Sequence, residues 1–133
     1  MTTELFWLSL TLLMTALFWV PYVLDRIAVR GLWGTLSATP PAQGTPQSAW
    51  AQRAREAHYN AVENLVIFAA AVLVAHVLKI SSDGTQMAVK LYFFARLAHF
   101  VVYTAGIPAA RTVAFTAGWI AQIVMLASIL GWF

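Results

Sequence analysis

The sequence predicts an all-α integral membrane protein, a bundle of four spanning helices in one domain, residues 1–133. Three observations lead there. The chain is 61% hydrophobic and only 10% charged, against about 25% charged in an ordinary soluble domain. Its mean hydropathy is +0.74. Its apolar residues gather into four long stretches, each near the length that crosses a hydrocarbon core of about 30 Å, with Gly, Pro, Ser and Asp at the breaks.

The same totals exclude several functions. The net charge of +3 comes from eight Lys/Arg and five Asp/Glu. It is too small and too scattered for a nucleic-acid surface. The chain has no Cys, so disulfides, thiolate metal sites and a Cys nucleophile are ruled out. The three His do not stand at zinc-site spacing, and no metal is expected.

The first span covers residues 5–24, with Trp7 and the Trp19–Tyr22 stretch near its ends as interfacial aromatics. Glu4 is the only charge before it, and no small-residue cleavage site follows. It therefore reads as a retained helix rather than a signal peptide. Arg26 and Arg30 come next, four apart on one helical face. Residues 31–48 read as a long loop punctuated by Gly and Pro, with Ser48 as the N-cap of the second span. That span, residues 49–78, would be about 45 Å long, so its Arg53–Arg55 end should project beyond the lipid. Residues 81–84 form a short turn. The third span covers residues 86–105, Gly106-Ile107-Pro108 makes a tight turn, and the fourth span covers residues 110–132.

Four spans put both termini on one side. The end with the long loop holds Arg26, Arg30, Arg53, Arg55 and Arg111, and the other end holds Lys79 and Lys90. The excess of cations places the long loop in the cytoplasm and both termini outside.

The chemistry concentrates in the second and third spans. Arg53, Glu56, Asn60 and Glu63 follow a helical repeat and form one stripe of ionic and amide groups entering the membrane. Such groups are costly in lipid and face a bundle interior, a partner or a ligand. Glu63 has two readings: an ion pair to Arg96 that fixes helix order, or a carboxylate for a ligand's ammonium group. Asn60 and Asn64 can bond between helices or belong to a site. Arg96, His99 and Tyr103 form a second stripe, at i, i+3 and i+7. Arg111 is either a topogenic flank or a cation that holds a thiolate or another anion. A thiol would have to come from a ligand. Ala54, Ala57 and Ala61 allow close helix approach, and the second span is expected to line the central contacts between copies of the chain.

At these residues the chain resembles a family. Arg53, His58, Asn60, Glu63 and Asn64, ahead of an apolar span, look like the helix-two signature of the MAPEG family, membrane-associated proteins in eicosanoid and glutathione metabolism. Ala95-Arg96, His99 and Tyr103, then a Pro-containing turn and Arg111, are similar to its third-helix and fourth-helix pattern. The resemblance implies a left-handed four-helix bundle assembled as a homotrimer. It implies glutathione as co-substrate, held between subunits at the cytoplasmic end by Arg26 or Arg30, Arg53, Asn60, Glu63 and Tyr103, with Arg111 as thiolate stabiliser. Arg96 and His99 match the motif and would support packing. Three positions depart from the pattern: Glu56 stands where many members have Arg, Tyr59 where some have a cation, and Phe115 where a Tyr is usual.

The expected function is that of a membrane-bound glutathione transferase or peroxidase acting on lipophilic electrophiles that partition into the bilayer. The compact form and its Pro-rich loop resemble bacterial members, implying the bacterial inner membrane. The alternative is a non-enzymatic trimer of the same kind that binds a lipid or a partner membrane protein.

Overall fold

The computed structural model describes residues 1–37 and 44–133. Five helical segments follow one another: α1 Thr3–Leu17, α2 Trp19–Leu36, α3 Ala49–Val77, α4 Asp83–Ala105 and α5 Pro108–Ile129. Among the described residues there is no strand. The architecture is the expected all-α bundle, because α1 and α2 form one near-continuous rod. They meet at Phe18, whose backbone is itself close to helical (φ −63, ψ −20). Pro21 falls in the first turn of α2, where a missing N–H does least harm.

The first rod is longer than expected. Residue 31 was to begin a loop, yet the helix runs on to Leu36. Gly31 adopts φ 72, ψ 168, which a residue without a Cβ takes at little cost. The backbone bends there and then resumes its turns. Thr35 Oγ1 donates to the Gly31 carbonyl at 2.9 Å, securing the resumed turn. Residues 38–43 of the expected loop lie outside the described residues.

The other boundaries have identifiable local causes. Ser48 is the N-cap residue of α3, as expected, but its hydroxyl is donated to Asp25 instead of capping the helix. α4 begins at Asp83, inside the expected turn, because Ser82 and Thr85 form a reciprocal capping box. Its end is set by Gly106, left-handed at φ 77, and Pro108 then opens α5.

Among the described residues, three helical rods are long and apolar enough to cross a membrane: Thr3–Leu36, Ala49–Val77 and Pro108–Ile129. α4 has 23 residues and is less apolar because it carries Arg96 and His99, both buried inside the bundle. The core joins Leu8, Phe68, Val72, Val89, Tyr92 and Met125, interleaved with Ala71, Ala75, Ala88 and Ala121. Phe68 and Tyr92 stack with centroids 3.6 Å apart. The alanines bring the helix backbones close, as small residues do in membrane bundles. Ala54 and Ala57 are 0% exposed and Ala61 is 3% exposed. This strip is therefore spent inside the protomer, and the close approach it allows is between helices of one chain.

A buried carboxylate ties the chain together at each end. Glu4 accepts hydrogen bonds from Ser81 Oγ at 2.8 Å and Thr85 Oγ1 at 2.7 Å, joining α1 to the start of α4. Asp25 accepts from the Ser48 backbone N–H at 3.1 Å, from the Ser48 hydroxyl, and from Gln47 Nε2 at 3.3 Å. It thereby joins α2 to the N-terminus of α3, where a negative charge is favoured. Asp25→Ala should lower unfolding stability in detergent by about 2–4 kcal/mol, because it leaves several partly buried donors unpaired. Asp25→Asn should retain part of that stability. Equal thermal midpoints for wild type and Asp25→Ala would contradict this assignment.

Candidate functional site

Helices α3, α4 and α5 line an open cavity of about 190 Å³ formed by Asn60, His99, Tyr103, Arg111, Thr112 and Phe115. It lies near the Gly106–Pro108 turn, which brings the end of α4 and the start of α5 together. Helical spacing puts His99 and Tyr103 one turn apart on the same face of α4, and their rings meet edge to face at 5.5 Å. The Arg111 guanidinium lies 4.7 Å from the centre of the Tyr103 ring, a cation–π contact. The Tyr103 hydroxyl donates to Glu56 Oε2 at 2.9 Å. The cavity thus presents one cation, an amide and an imidazole beside apolar ring surface.

Behind the cavity lies a buried polar network. Arg96 is 2% exposed, and its Nη1 donates to Asn60 Oδ1 at 2.9 Å. Its guanidinium lies 5.4 Å from the Tyr92 ring centre and 5.3 Å from that of Phe115. A Cβ on Gly118 would come within 3.3 Å of Arg96 Nε, so glycine makes room for the guanidinium. Asn64 Nδ2 donates to the Asn60 carbonyl at 2.9 Å, and Gln122 Nε2 reaches Asn64 Oδ1 at 3.3 Å. A guanidinium can only donate. It therefore commits the Asn60 oxygen to the interior.

Of the seven residues expected to bind or activate a ligand, the cavity brings together Asn60, Tyr103 and Arg111. Arg53 is placed elsewhere: its Nε donates to the Thr104 carbonyl at 3.0 Å and ties α3 to the last turn of α4. Arg30 Nε donates to the Thr45 carbonyl at 2.7 Å, and Arg30 lines a separate cavity with Arg55, Gln47 and Gln52. Arg26 is half-buried on α2. Glu63 is exposed on α3, so of its two readings the ion pair with Arg96 is overturned. Asn60 lies nearly a full turn from Glu63, on the flank facing α4, and it is the side chain that reaches Arg96.

Several partnerships were not foreseen. Glu56 was read as part of the α3 stripe and as a departure from the family pattern, with no partner assigned, yet it takes the Tyr103 hydroxyl. The available signal was its place one turn before Asn60 on the same stripe. Phe115, in place of a Tyr, supplies a ring face to Arg96. Tyr22 and His58 form a hydrogen bond of 2.8 Å between α2 and α3, and no periodicity in the sequence pointed to that pair.

Removing one partner from a buried hydrogen bond to a charged group costs more than removing both. Asn60→Leu should lower stability by about 1.5–3 kcal/mol. Asn60→Leu combined with Arg96→Leu should recover part of that loss. Chemical unfolding in mild detergent reads both, and a double variant whose losses simply add would rule out a direct coupling.

Among curated proteins and among solved structures, none matches this chain. The MAPEG family model matches residues 6–131 of the 133. That match covers all three helices that line the cavity and the helix-two, helix-three and helix-four motifs. The chain belongs to the MAPEG family, the membrane proteins of eicosanoid and glutathione metabolism.

Proposed function

We propose that the protein is a membrane-bound glutathione transferase or peroxidase whose second substrates are lipophilic electrophiles. The observation that carries this reading is the convergence of Asn60, Tyr103 and Arg111 from three helices on one open cavity. On this reading Arg111 is the catalytic residue. Its guanidinium favours the ionised thiol of bound glutathione. The thiol proton leaves to water, and the sulfur attacks an electrophilic carbon. A C–S bond forms as the leaving group departs with its electron pair. With a hydroperoxide, two glutathione thiols reduce the O–O bond to an alcohol and water, and they leave as the disulfide. The chain has no Cys, so the protein contributes positioning and electrostatics while the tripeptide contributes the nucleophile.

A cavity of about 190 Å³ is small beside typical ligand pockets of about 300–1,000 Å³. One protomer therefore offers part of a site, and we infer that neighbouring copies complete it in a homotrimer. Supporting this, Glu56, Tyr59, Glu63, Val66, Ala70 and Leu73 are all exposed on α3. Their spacing alternates between three and four residues, the repeat of a helix seam that packs on another helix. The seam carries Glu63, which would take the ammonium group of glutathione, while Arg26, Arg30 and Arg53 would supply cations for its carboxylates. The cations at this end support a cytoplasmic site in a bacterial inner membrane.

One observation favours a second reading, a non-enzymatic trimer that binds a lipid or a partner membrane protein. The Tyr103 hydroxyl is committed to Glu56, which places a carboxylate beside the ring on which Arg111 rests.

Two measurements follow. Native mass spectrometry in mild detergent should find trimers, and Val66→Lys in the exposed seam should dissociate them. Only monomers or dimers for the wild type would remove the shared site. Titrating the purified protein with glutathione should raise the ultraviolet absorbance of ionised thiol near neutral pH. Arg111→Leu should abolish that signal and cut turnover of a generic electrophile by about 10²–10³, while glutathione binding weakens far less. No thiolate signal in the wild type at saturating glutathione, or full turnover in Arg111→Leu, would favour the second reading.

A further inference from the structure

The last turn of α2 does not behave like the rest of the first rod. Past the bend at Gly31, Leu32 is 62% exposed, Trp33 81% and Leu36 69%. At i, i+1 and i+4 these three share one side of the turn. The opposite side is occupied. A Cβ on Gly34 would lie 3.2 Å from Arg30 Cβ, a Cβ on Gly44 would overlap the Arg30 guanidinium, and Arg30 Nε donates to the Thr45 carbonyl. The turn therefore has a packed polar side and a bare apolar side.

The depth of this turn follows from the two carboxylate clusters. Glu4 with Ser81 and Thr85 marks one polar boundary, and Asp25 with Gln47 and Ser48 marks the other. About 21 residues separate Glu4 from Asp25, or about 32 Å of helix at 1.5 Å per residue. That matches a hydrocarbon core of about 30 Å. Gly31 lies about 9 Å beyond Asp25, which is headgroup depth. A straight helix would carry Leu36 out into water. The bend at Gly31 redirects it.

We propose that residues 32–36 form an interfacial anchor that lies along the headgroup–acyl boundary, with Leu32, Trp33 and Leu36 inserted toward the lipid. The occupant of the bare face is the bilayer that the chain already spans. Three features favour it. Leu24, on the same rod before the bend, is likewise exposed, as a surface in contact with lipid would be. Trp is the side chain most suited to the interface, apolar in body with one polar N–H. Arg26, Arg30 and Arg55 lie at the same end and complement anionic headgroups. Because Arg30 holds Thr45, the anchor would also fix the start of the segment that leads into Ser48 and α3.

The chain has no Cys, so single labels can be placed without a background. Trp33→Cys and Leu36→Cys, each carrying an environment-sensitive fluorophore, are reconstituted in phosphatidylcholine–phosphatidylglycerol nanodiscs. Thr45→Cys, exposed on the loop, serves as the aqueous reference. The expected result is blue-shifted emission at positions 33 and 36, strong quenching by lipids brominated near the glycerol, and weak quenching by aqueous iodide. Emission and iodide quenching equal to those at position 45 would overturn the proposal, because the face would then lie in water. Protection from both quenchers would also overturn it, because a second copy of the chain would then cover the face.

Discussion

A guanidinium inside an apolar bundle has to be accommodated by protein groups, and much of this structure follows from how Arg96 is accommodated. Its charge is 2% exposed and meets an amide oxygen and two ring faces instead of a carboxylate. Each contact comes from a different place: Asn60 from α3, Tyr92 from α4 itself, Phe115 from α5. Gly118 lets α5 approach closely enough. The guanidinium thus sets the relative position of three helices. The candidate site opens further along α4, at His99 and Tyr103, lined by the same three helices.

The polar contacts at the ends complete the frame. Glu4 fastens α1 to the start of α4, Asp25 fastens α2 to the start of α3, and Arg53 fastens α3 to the end of α4. Asp25 and Arg53 each join a charged side chain to a backbone polar group at a helix terminus, where charge and dipole reinforce each other, while Glu4 takes the side-chain hydroxyls of Ser81 and Thr85. Between these contacts the packing is largely alanine against aromatic and branched side chains. Close backbone approach replaces the hydrophobic drive that a lipid environment cannot supply.

The electrostatic character of the cavity reflects its departures from the family pattern. Glu56 brings a carboxylate to Tyr103, and Tyr103 in turn carries Arg111 on its ring. The positive charge is therefore less concentrated than the number of arginines suggests. Arg30 and Arg53 each donate to a backbone carbonyl and hold elements in place. Glu63, by contrast, stands exposed on the one long face of α3 that the protomer leaves uncovered.

The sequence by itself determined the class and the order of the elements. Composition demanded a membrane, the apolar stretches set the number of rods, and Gly106 with Pro108 marked a turn that side-chain chemistry makes unavoidable. Helical spacing put Asn60 and Tyr103 on polar stripes, because spacing is a local property that a linear chain displays, and the family resemblance added Arg111. Partnership is not local, and only the tertiary structure decided it. Arg96 reached Asn60 instead of Glu63 because the angular position of α3 turned Asn60 toward α4 and Glu63 away from it. That angle was set by alanine packing along Ala54, Ala57 and Ala61, which the sequence equally allowed to face another copy. Gly31 illustrates the same limit. A glycine's freedom permits a helix to end or to bend, and here the contacts of Arg30 and Thr35 on either side of the bend let the helix continue.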